Sequence, residues 1–352
     1  MIRIGIIGAG AISEAHLDAY KLNSDCKVTA IADLNLALAN ERAEKYGIEK
    51  VYDDYKKLLA DNEIDAVSIV TPTFTHTQIV VDALKSGKNV LCEKPPALSA
   101  DDVRLCEKTA KEEGKLLMYA FVCRFRNPVK YLKEYIESGK MGKIVYVEGA
   151  RIYRCMQING WFTDKTKVGG VLFDSAIHEL DTALYLMGYP KPKTVTAFKS
   201  DVNSDLPAKF TGTGPKYTSV DTKTYERTIE SFINGTVIFE NGAALNIKSS
   251  SVLNSVNTGC YVDVCGEKAG ARTEMGVPGK DLKILELTDD NDFNEFSPEI
   301  GSNNIFSEEI NHFIDCQIKG TECICKPSEA VRLVEILNAI YKSAETGKPV
   351  EL

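Results

Sequence analysis

Asp174, His178 and Asp181 recur at i, i+4 and i+7, a spacing that sets three titratable side chains along one side of a helix. Phe173, Ile177, Leu180, Leu184 and Met187 follow a matching rhythm, one residue out of step. The polar row therefore borders a buried apolar stripe. Imidazole is the side chain whose ordinary pKa suits proton transfer near neutrality. His178 is thus a candidate general base. Asp174, one turn earlier, can orient the imidazole or hold a substrate hydroxyl. A competing reading makes Asp174 a helix cap and His178 a satisfied core histidine, and the helix alone favours it.

A second pattern opens the chain. Gly8-Ala9-Gly10-Ala11-Ile12-Ser13 directly follows the apolar segment Ile2 to Ile7 and begins a helical run. Two glycines so placed let backbone amides approach a pyrophosphate at a helix N-terminus. The third position of the fingerprint is Ser13, and a tight turn that binds nothing is the alternative. Asp33 ends the second apolar run, where its carboxylate can accept hydrogen bonds from an adenosine ribose. The same carboxylate would repel a 2′-phosphate, and Leu34 and Asn35 offer no compensating cation. NAD is therefore expected in preference to NADP, with Arg42 as the one nearby residue able to reverse that preference.

Lys94 stands at the end of a strand-like run, at the edge of a parallel sheet where ligands bind, and Pro95 after it implies a shaped turn. Alone, it reads as a surface lysine. Val70-Thr71-Pro72 with His76, then Val90-Leu91-Cys92-Glu93-Lys94-Pro95-Pro96, then Gly169-Gly170-Val171-Leu172-Phe173-Asp174-Ser175-Ala176-Ile177-His178-Glu179-Leu180-Asp181 occur in that order. Together they resemble the glucose-fructose oxidoreductase, inositol dehydrogenase and rhizopine catabolism (Gfo/Idh/MocA) family over nearly the whole chain.

The resemblance implies an NAD-dependent enzyme that oxidises a secondary hydroxyl of an inositol, a sugar or a sugar derivative. It places Gly8, Gly10, Ala11, Ile12, Asp33, Thr71, Pro72, His76, Glu93 and Lys94 at the cofactor. Lys94, Asp174 and His178 become the acid–base group, with Lys94 on the reacting hydroxyl, and Asp181 lies at the substrate end. Trp161 is a candidate pocket wall or a core residue. His76 opens a helix, either capping it or sitting near the cofactor. Thr73 and Cys123 depart from asparagines frequent in the family, so neither is carried over as a site residue. Two other classes share the scaffold: redox-neutral glycosidases or lyases that retain NAD, and non-catalytic NAD sensors.

These residues require two kinds of domain. Candidate strands Arg3–Ile7, Val28–Ala32, Ala66–Val70, Val90–Leu91 and Leu116–Tyr119 alternate with helical stretches. Ser99 with Asp102 marks a helix start, and Gly47, Gly87 and Gly114 mark helix stops. That pattern is an α/β Rossmann domain with a doubly wound parallel sheet, over residues 1–122. After Arg126-Asn127-Pro128 comes a helix near Val129–Ser138. Alternating runs at Ile144–Ile152, Ile229–Ile233, Ala243–Ser249 and Tyr261–Val264 then read as a large, mostly antiparallel sheet. Asn234-Gly235 and Asn241-Gly242 are the expected turns. Residues 200–224 read as a long polar loop. Helices near Asn304–Ile318 and Ser328–Thr346 complete an α+β substrate-binding and oligomerisation domain over 123–352, the last helix packing back towards the N-terminal domain.

The whole composition narrows the partners. With 42 Lys+Arg against 50 Asp+Glu, the formal charge of −8 opposes nucleic-acid binding. No apolar run reaches the roughly 20 residues of a membrane span, and Met1 begins a strand rather than a secretory leader. Ten cysteines without a CxxC pair read as reduced thiols in a cytoplasmic protein. Cys323-x-Cys325 finds no partners at metal-ligand spacing, His16, His76, His178 and His312 are scattered, and no metal is expected. The family resemblance implies a homodimer or homotetramer formed through the exposed face of the C-terminal sheet.

Overall fold

The structure, a computed structural model, describes residues 1–156, 158, 160–202, 227–276 and 282–352. The chain forms two compact units, one of Met1–Phe125 with Asn304–Val334, the other of Arg126–Asn303 with Glu335–Leu352.

The first unit is built on six parallel strands: β1 (Ile2–Ile7), β2 (Cys26–Ala32), β3 (Lys50–Tyr52), β4 (Ala66–Ile69), β5 (Asn89–Glu93) and β6 (Leu117–Ala120). Their order is β3-β2-β1-β4-β5-β6, so the sheet reverses direction of winding between β1 and β4. Helices α1 (Ala11–Lys21), α2 (Leu36–Tyr46), α3 (Tyr55–Leu59), α4 (His76–Lys85) and α5 (Ala100–Glu113) make the crossovers. Ile4, Ile6, Ala66, Val67, Ile69, Val90 and Leu91 are fully buried, as strands covered on both faces require. The Ser99 side chain accepts from Asp102 N–H to cap α5, while Gly47 and Gly114 end α2 and α5 in left-handed conformations.

The second unit begins with α6 (Asn127–Glu137), whose proline sits in the first turn. It continues through β7 (Ile144–Ile152), α7 (Lys165–Val168), α8 (Val171–Asp174) and α9 (Ile177–Leu186). Next come β8 (Pro192–Ser200), β9 (Phe232–Phe239), β10 (Ala244–Ser250), β11 (Gly259–Gly266), β12 (Ala269–Glu274), β13 (Leu282–Leu287) and β14 (Phe293–Phe296). Helix α10 (Ile305–Ile318) packs on α1 in the first unit. Helix α11 (Pro327–Thr346) starts in the first unit and ends in the second, and β15 (Val350–Glu351) closes the chain. The second sheet runs β14-β13-β12-β11-β7-β10-β9-β8-β15, antiparallel throughout except for the β7/β10 pair. Residues 203–226, most of the expected 200–224 loop, lie outside the described residues.

One face of this sheet is dry, with Val147, Ile233, Val237, Leu245, Ile247, Val262, Val264 and Ile284 at zero exposure. The other carries a cross-strand polar lattice. Tyr261 and Lys248 both donate to Glu148, and Arg272 pairs with Asp263 while lying over the Tyr261 ring. Phe198, Ile238 and Leu285, which the strand register places on this same face, are exposed. No helix of the described residues is long and apolar enough to cross a membrane.

Two expectations fail here for one reason. Asn234-Gly235 is not a turn, and the strand expected at Ile229–Ile233 instead runs from Phe232 to Phe239 with that pair inside it. A Cβ on Gly235 would lie 2.9 Å from Cγ1 and 3.0 Å from Cδ1 of Ile340, a fully buried α11 residue. The glycine answers the close approach of a helix, a requirement that looks like a turn signal in one dimension. Asn241-Gly242 does turn the chain between β9 and β10, with Gly242 at φ 84°. Gly235→Ala should therefore lower stability by about 1–3 kcal/mol through overpacking, read as an earlier urea midpoint. An unchanged midpoint would remove this packing account.

Candidate active site

In the first unit, the C-terminal ends of β1, β2, β4 and β5 gather the sequence candidates. Gly8 has φ 106°, and a Cβ there would lie 2.8 Å from the Val70 carbonyl oxygen, so only glycine fits beside β4. Gly10 caps α1 with no side-chain hydrogen bond, and a Cβ on it would meet nothing within 4 Å. Open space over bare helix amides is what a pyrophosphate needs. Ser13, fully buried, donates from Oγ to the Gly10 carbonyl at 2.6 Å. A small hydroxyl thus tightens the turn where the fingerprint has glycine or alanine. Asp33 accepts from Ala9 N–H at 2.7 Å and from Asn35 N–H at 2.7 Å, which ties the glycine turn to the end of β2. The residues present fit a dinucleotide: Gly8, Gly10, Ala11 and Ile12 at the phosphates, Asp33 at a ribose.

His76 opens α4, is wholly buried, and its ring faces two carbonyls, Pro95 O from Nδ1 and Thr71 O from Nε2, each at 2.8 Å. Burial pushes its pKa down, outweighing the two carbonyls that favour the cation. The ring makes no cap; it pins the Thr71-Pro72 loop to the loop after Lys94. Thr75 Oγ1 adds a bond to the Pro72 carbonyl at 2.7 Å.

Glu93 ends β5 with 7% exposure. Its Oε1 lies 2.9 Å from Nε2 of the fully buried His16 on α1, and its Oε2 accepts from Lys94 N–H at 3.1 Å. Burial alone would raise the Glu93 pKa, but the His16 hydrogen bond and charge, the Lys94 charge and the Lys94 amide bring it below the ordinary range. Lys94 follows, half-buried, with a cis bond to Pro95. Glu309 of α10 is also fully buried, and neither of its oxygens has a hydrogen-bond partner among the described residues. Burial first, and the Glu93 charge second, hold its carboxyl well above the ordinary range, so it stays protonated beside the ionised Glu93.

The second unit holds the other candidates. The single helix expected from Phe173 to Met187 is broken: Asp174 ends α8 and His178 lies in the first turn of α9, with Ser175 and Ala176 between. Both are half-buried, while Phe173, Ile177, Leu180 and Leu184 keep the buried stripe. Gly170, at φ 121°, brings its backbone so close to Tyr341 of α11 that a Cβ would collide with the phenol oxygen. That phenol accepts from Leu172 N–H at 3.1 Å and donates to Glu230 at 2.5 Å, and Glu230 accepts from Val171 N–H at 2.8 Å. The start of α8 is thereby capped from two distant parts of the chain.

Next to His178, Glu179 has zero exposure and takes a bidentate pair from Arg151 of β7, at 2.8 and 2.7 Å. Burial works against the Arg151 charge, but Glu179 more than offsets it and raises the guanidinium pKa. The fork fixes the rotation of α9 on the sheet and hence the direction in which His178 leaves the helix. Asp181 is buried and accepts from Tyr189 at 2.6 Å, and Trp161, half-buried, stacks on Phe162 with centroids 3.9 Å apart. His16, Arg151, Glu179, Glu230 and Tyr341 escaped the sequence reading. A buried carboxylate leaves no local pattern; the adjacent repeat of acids around His178 was the one visible hint.

The family model described as oxidoreductase family, NAD-binding Rossmann fold (Gfo/Idh/MocA), matches residues 2–121, and that of its C-terminal alpha/beta domain matches residues 133–352. The chain is 34% identical to a D-glucoside 3-dehydrogenase of Escherichia coli K12, over 100% of this chain and 97% of that protein. It is 36% identical to a myo-inositol 2-dehydrogenase of Thermotoga maritima over 53% of this chain and 55% of that protein. Among solved structures, a levoglucosan dehydrogenase in complex with NADH and levoglucosan superposes with TM-score 0.83 at 22% identity, covering 99% of each chain. That last likeness is one of fold.

Glu309 carries a pH prediction. Its folded pKa is raised, so the native protein keeps a proton that the unfolded chain releases above about 4.5. Stability then falls as pH rises through that range. Glu309→Gln removes the titration, so the variant's stability relative to wild type should rise from about pH 5 to 8. Parallel urea-denaturation curves across that range would show that Glu309 is ionised in the fold.

Proposed function

The chain belongs to the Gfo/Idh/MocA oxidoreductase family, and from that premise we propose that it oxidises a secondary hydroxyl of a sugar, inositol or sugar derivative with NAD. The observation that carries this reading is the first-unit sheet edge. Gly8, Gly10 and Asp33 end β1 and β2, and Lys94 leaves β5 beside a clamped carboxylate. The full-length similarity to a D-glucoside 3-dehydrogenase supports the substrate class.

NAD held by Gly8, Gly10, Ala11, Ile12 and Asp33, with Thr71, Pro72 and Glu93 shaping the approach, would supply the hydride acceptor. This chain's own work is with the proton. His178 takes it from the hydroxyl as the C–H bond breaks to leave a carbonyl. The Lys94 ammonium favours the oxygen as it gains negative charge, and Asp174 orients the imidazole or binds an adjacent hydroxyl. His76 and Glu93 act on Lys94 through the backbone, and Glu179 acts on His178 in the same indirect way. Asp181 and Trp161 are assigned to the substrate side.

NAD is preferred to NADP in this reading because Asp33 stands at the ribose position and neither Leu34 nor Asn35 offers a cation to a 2′-phosphate. Arg42, the one candidate to reverse that preference, is engaged by Glu14 at 2.9 Å and Glu41 at 2.7 Å. Ten free thiols suit a reducing, cytoplasmic compartment. The open sheet face, with its tyrosines, arginine and exposed apolar residues, has the composition of a homo-oligomer interface, and light scattering should report a dimer or tetramer.

The test is NADH absorbance against inositols, aldoses, glucosides and sugar acids. Lys94→Ala and His178→Ala should each lower kcat/KM by about 10²-fold or more, and NADP should substitute poorly. Equal rates with both nucleotides would remove the role given to Asp33. Silence across the panel, with NAD still tightly bound, would transfer the assignment to redox-neutral chemistry on the same scaffold.

A further inference from the structure

The sequence offered Cys323 and Cys325 no metal-ligand partners, but the fold supplies them for Cys323. His312 and Cys316 lie one turn apart on one face of α10, and Cys323 comes from the connection to α11. One donor atom from each lies within 4.8 Å of the other two, and all three residues are half-buried. His312 Nε2 is 3.5 Å from Cys316 Sγ. That matches the nitrogen-to-sulfur edge of a tetrahedral zinc site, about 3.5 Å given Zn–N near 2.0 Å and Zn–S near 2.3 Å.

The supports are those of a held site. Ile324 N–H donates to the same Nε2 at 3.1 Å, so that nitrogen offers a lone pair, which a metal would take over from the amide. The buried Arg124 donates to the Ile324 carbonyl and to Glu329, which fixes the loop that delivers Cys323. Phe125 packs on the imidazole with centroids 5.5 Å apart.

We propose that His312, Cys316 and Cys323 bind one divalent cation of the zinc type, with solvent in the fourth position, tying α10 to the start of α11. Binding releases the two thiol protons and exchanges the Ile324 N–H bond to Nε2 for the metal. The site is independent of the dehydrogenase reading, since neither its residues nor its test involves nucleotide or substrate.

The experiment uses the full chain, reduced and freed of metal, titrated with Co²⁺ alone and then with Zn²⁺. Thiolate-to-cobalt charge-transfer absorption should saturate at one ion per chain, vanish on adding Zn²⁺, and accompany a rise in Tm. Cys316→Ser and Cys323→Ser should each abolish the band, while Cys265→Ser, at an exposed position on β11, should leave it unchanged. Absence of the band in reduced wild type overturns the proposal, whatever the variants do. Its survival in the Cys316→Ser/Cys323→Ser double variant does so equally.

Discussion

A carboxylate buried at the end of a parallel strand must be met by donors or give up its charge. Glu93 meets that condition through His16 and the Lys94 amide, and much of the first unit is arranged around it. The hydrogen bond joins α1, which begins at the glycine turn, to β5, which ends at Lys94. Burial first, and the same charge second, keep Glu309 of α10 protonated. One ionised group thus links the nucleotide turn, the candidate cation and the returning helix. His76 then closes the frame by joining the Thr71 and Pro95 carbonyls.

The second unit uses the same logic. Arg151 and Glu179 are a buried pair, and removing one member of such a pair typically costs about 3–5 kcal/mol because a charge is left unanswered. Replacing both by apolar residues is often harmless to stability, so the pair is better understood as fixing orientation. A helix packed by apolar contacts alone can rotate slightly; one held by a bidentate fork cannot, and His178 is the next residue along. Glu230 and Tyr341 do for α8 what the fork does for α9, by answering amides that the Gly170 approach leaves bare.

Much of this was legible in advance. Strands β1, β2, β4, β5 and β6 and the glycine turn follow from local signals, because a doubly wound sheet writes its apolar runs, caps and stops in consecutive residues. Strand β7 and the two final helices were legible for the same reason. The errors came where a residue answers something remote. Gly235 answers Ile340, and the Ser175-Ala176 break divides a stripe whose periodicity continues across it. Strand β3, only three residues long, carries too little pattern to be seen.

The sequence by itself determined the class of both sheets and the glycine turn, which depend on residue type and short spacing, and it marked Lys94, Asp174 and His178 as candidates through the family resemblance of their motifs. Tertiary structure alone decided who answers the buried charges. His16 reaches Glu93 across 77 positions, Arg151 reaches Glu179 across 28, and Tyr341 reaches Glu230 across 111. It also gathered donor atoms of His312, Cys316 and Cys323 within 4.8 Å of one another. The physical reason is that a charge or lone pair deprived of water must find a partner at about 3 Å, and distance along the chain sets no limit on where that partner comes from.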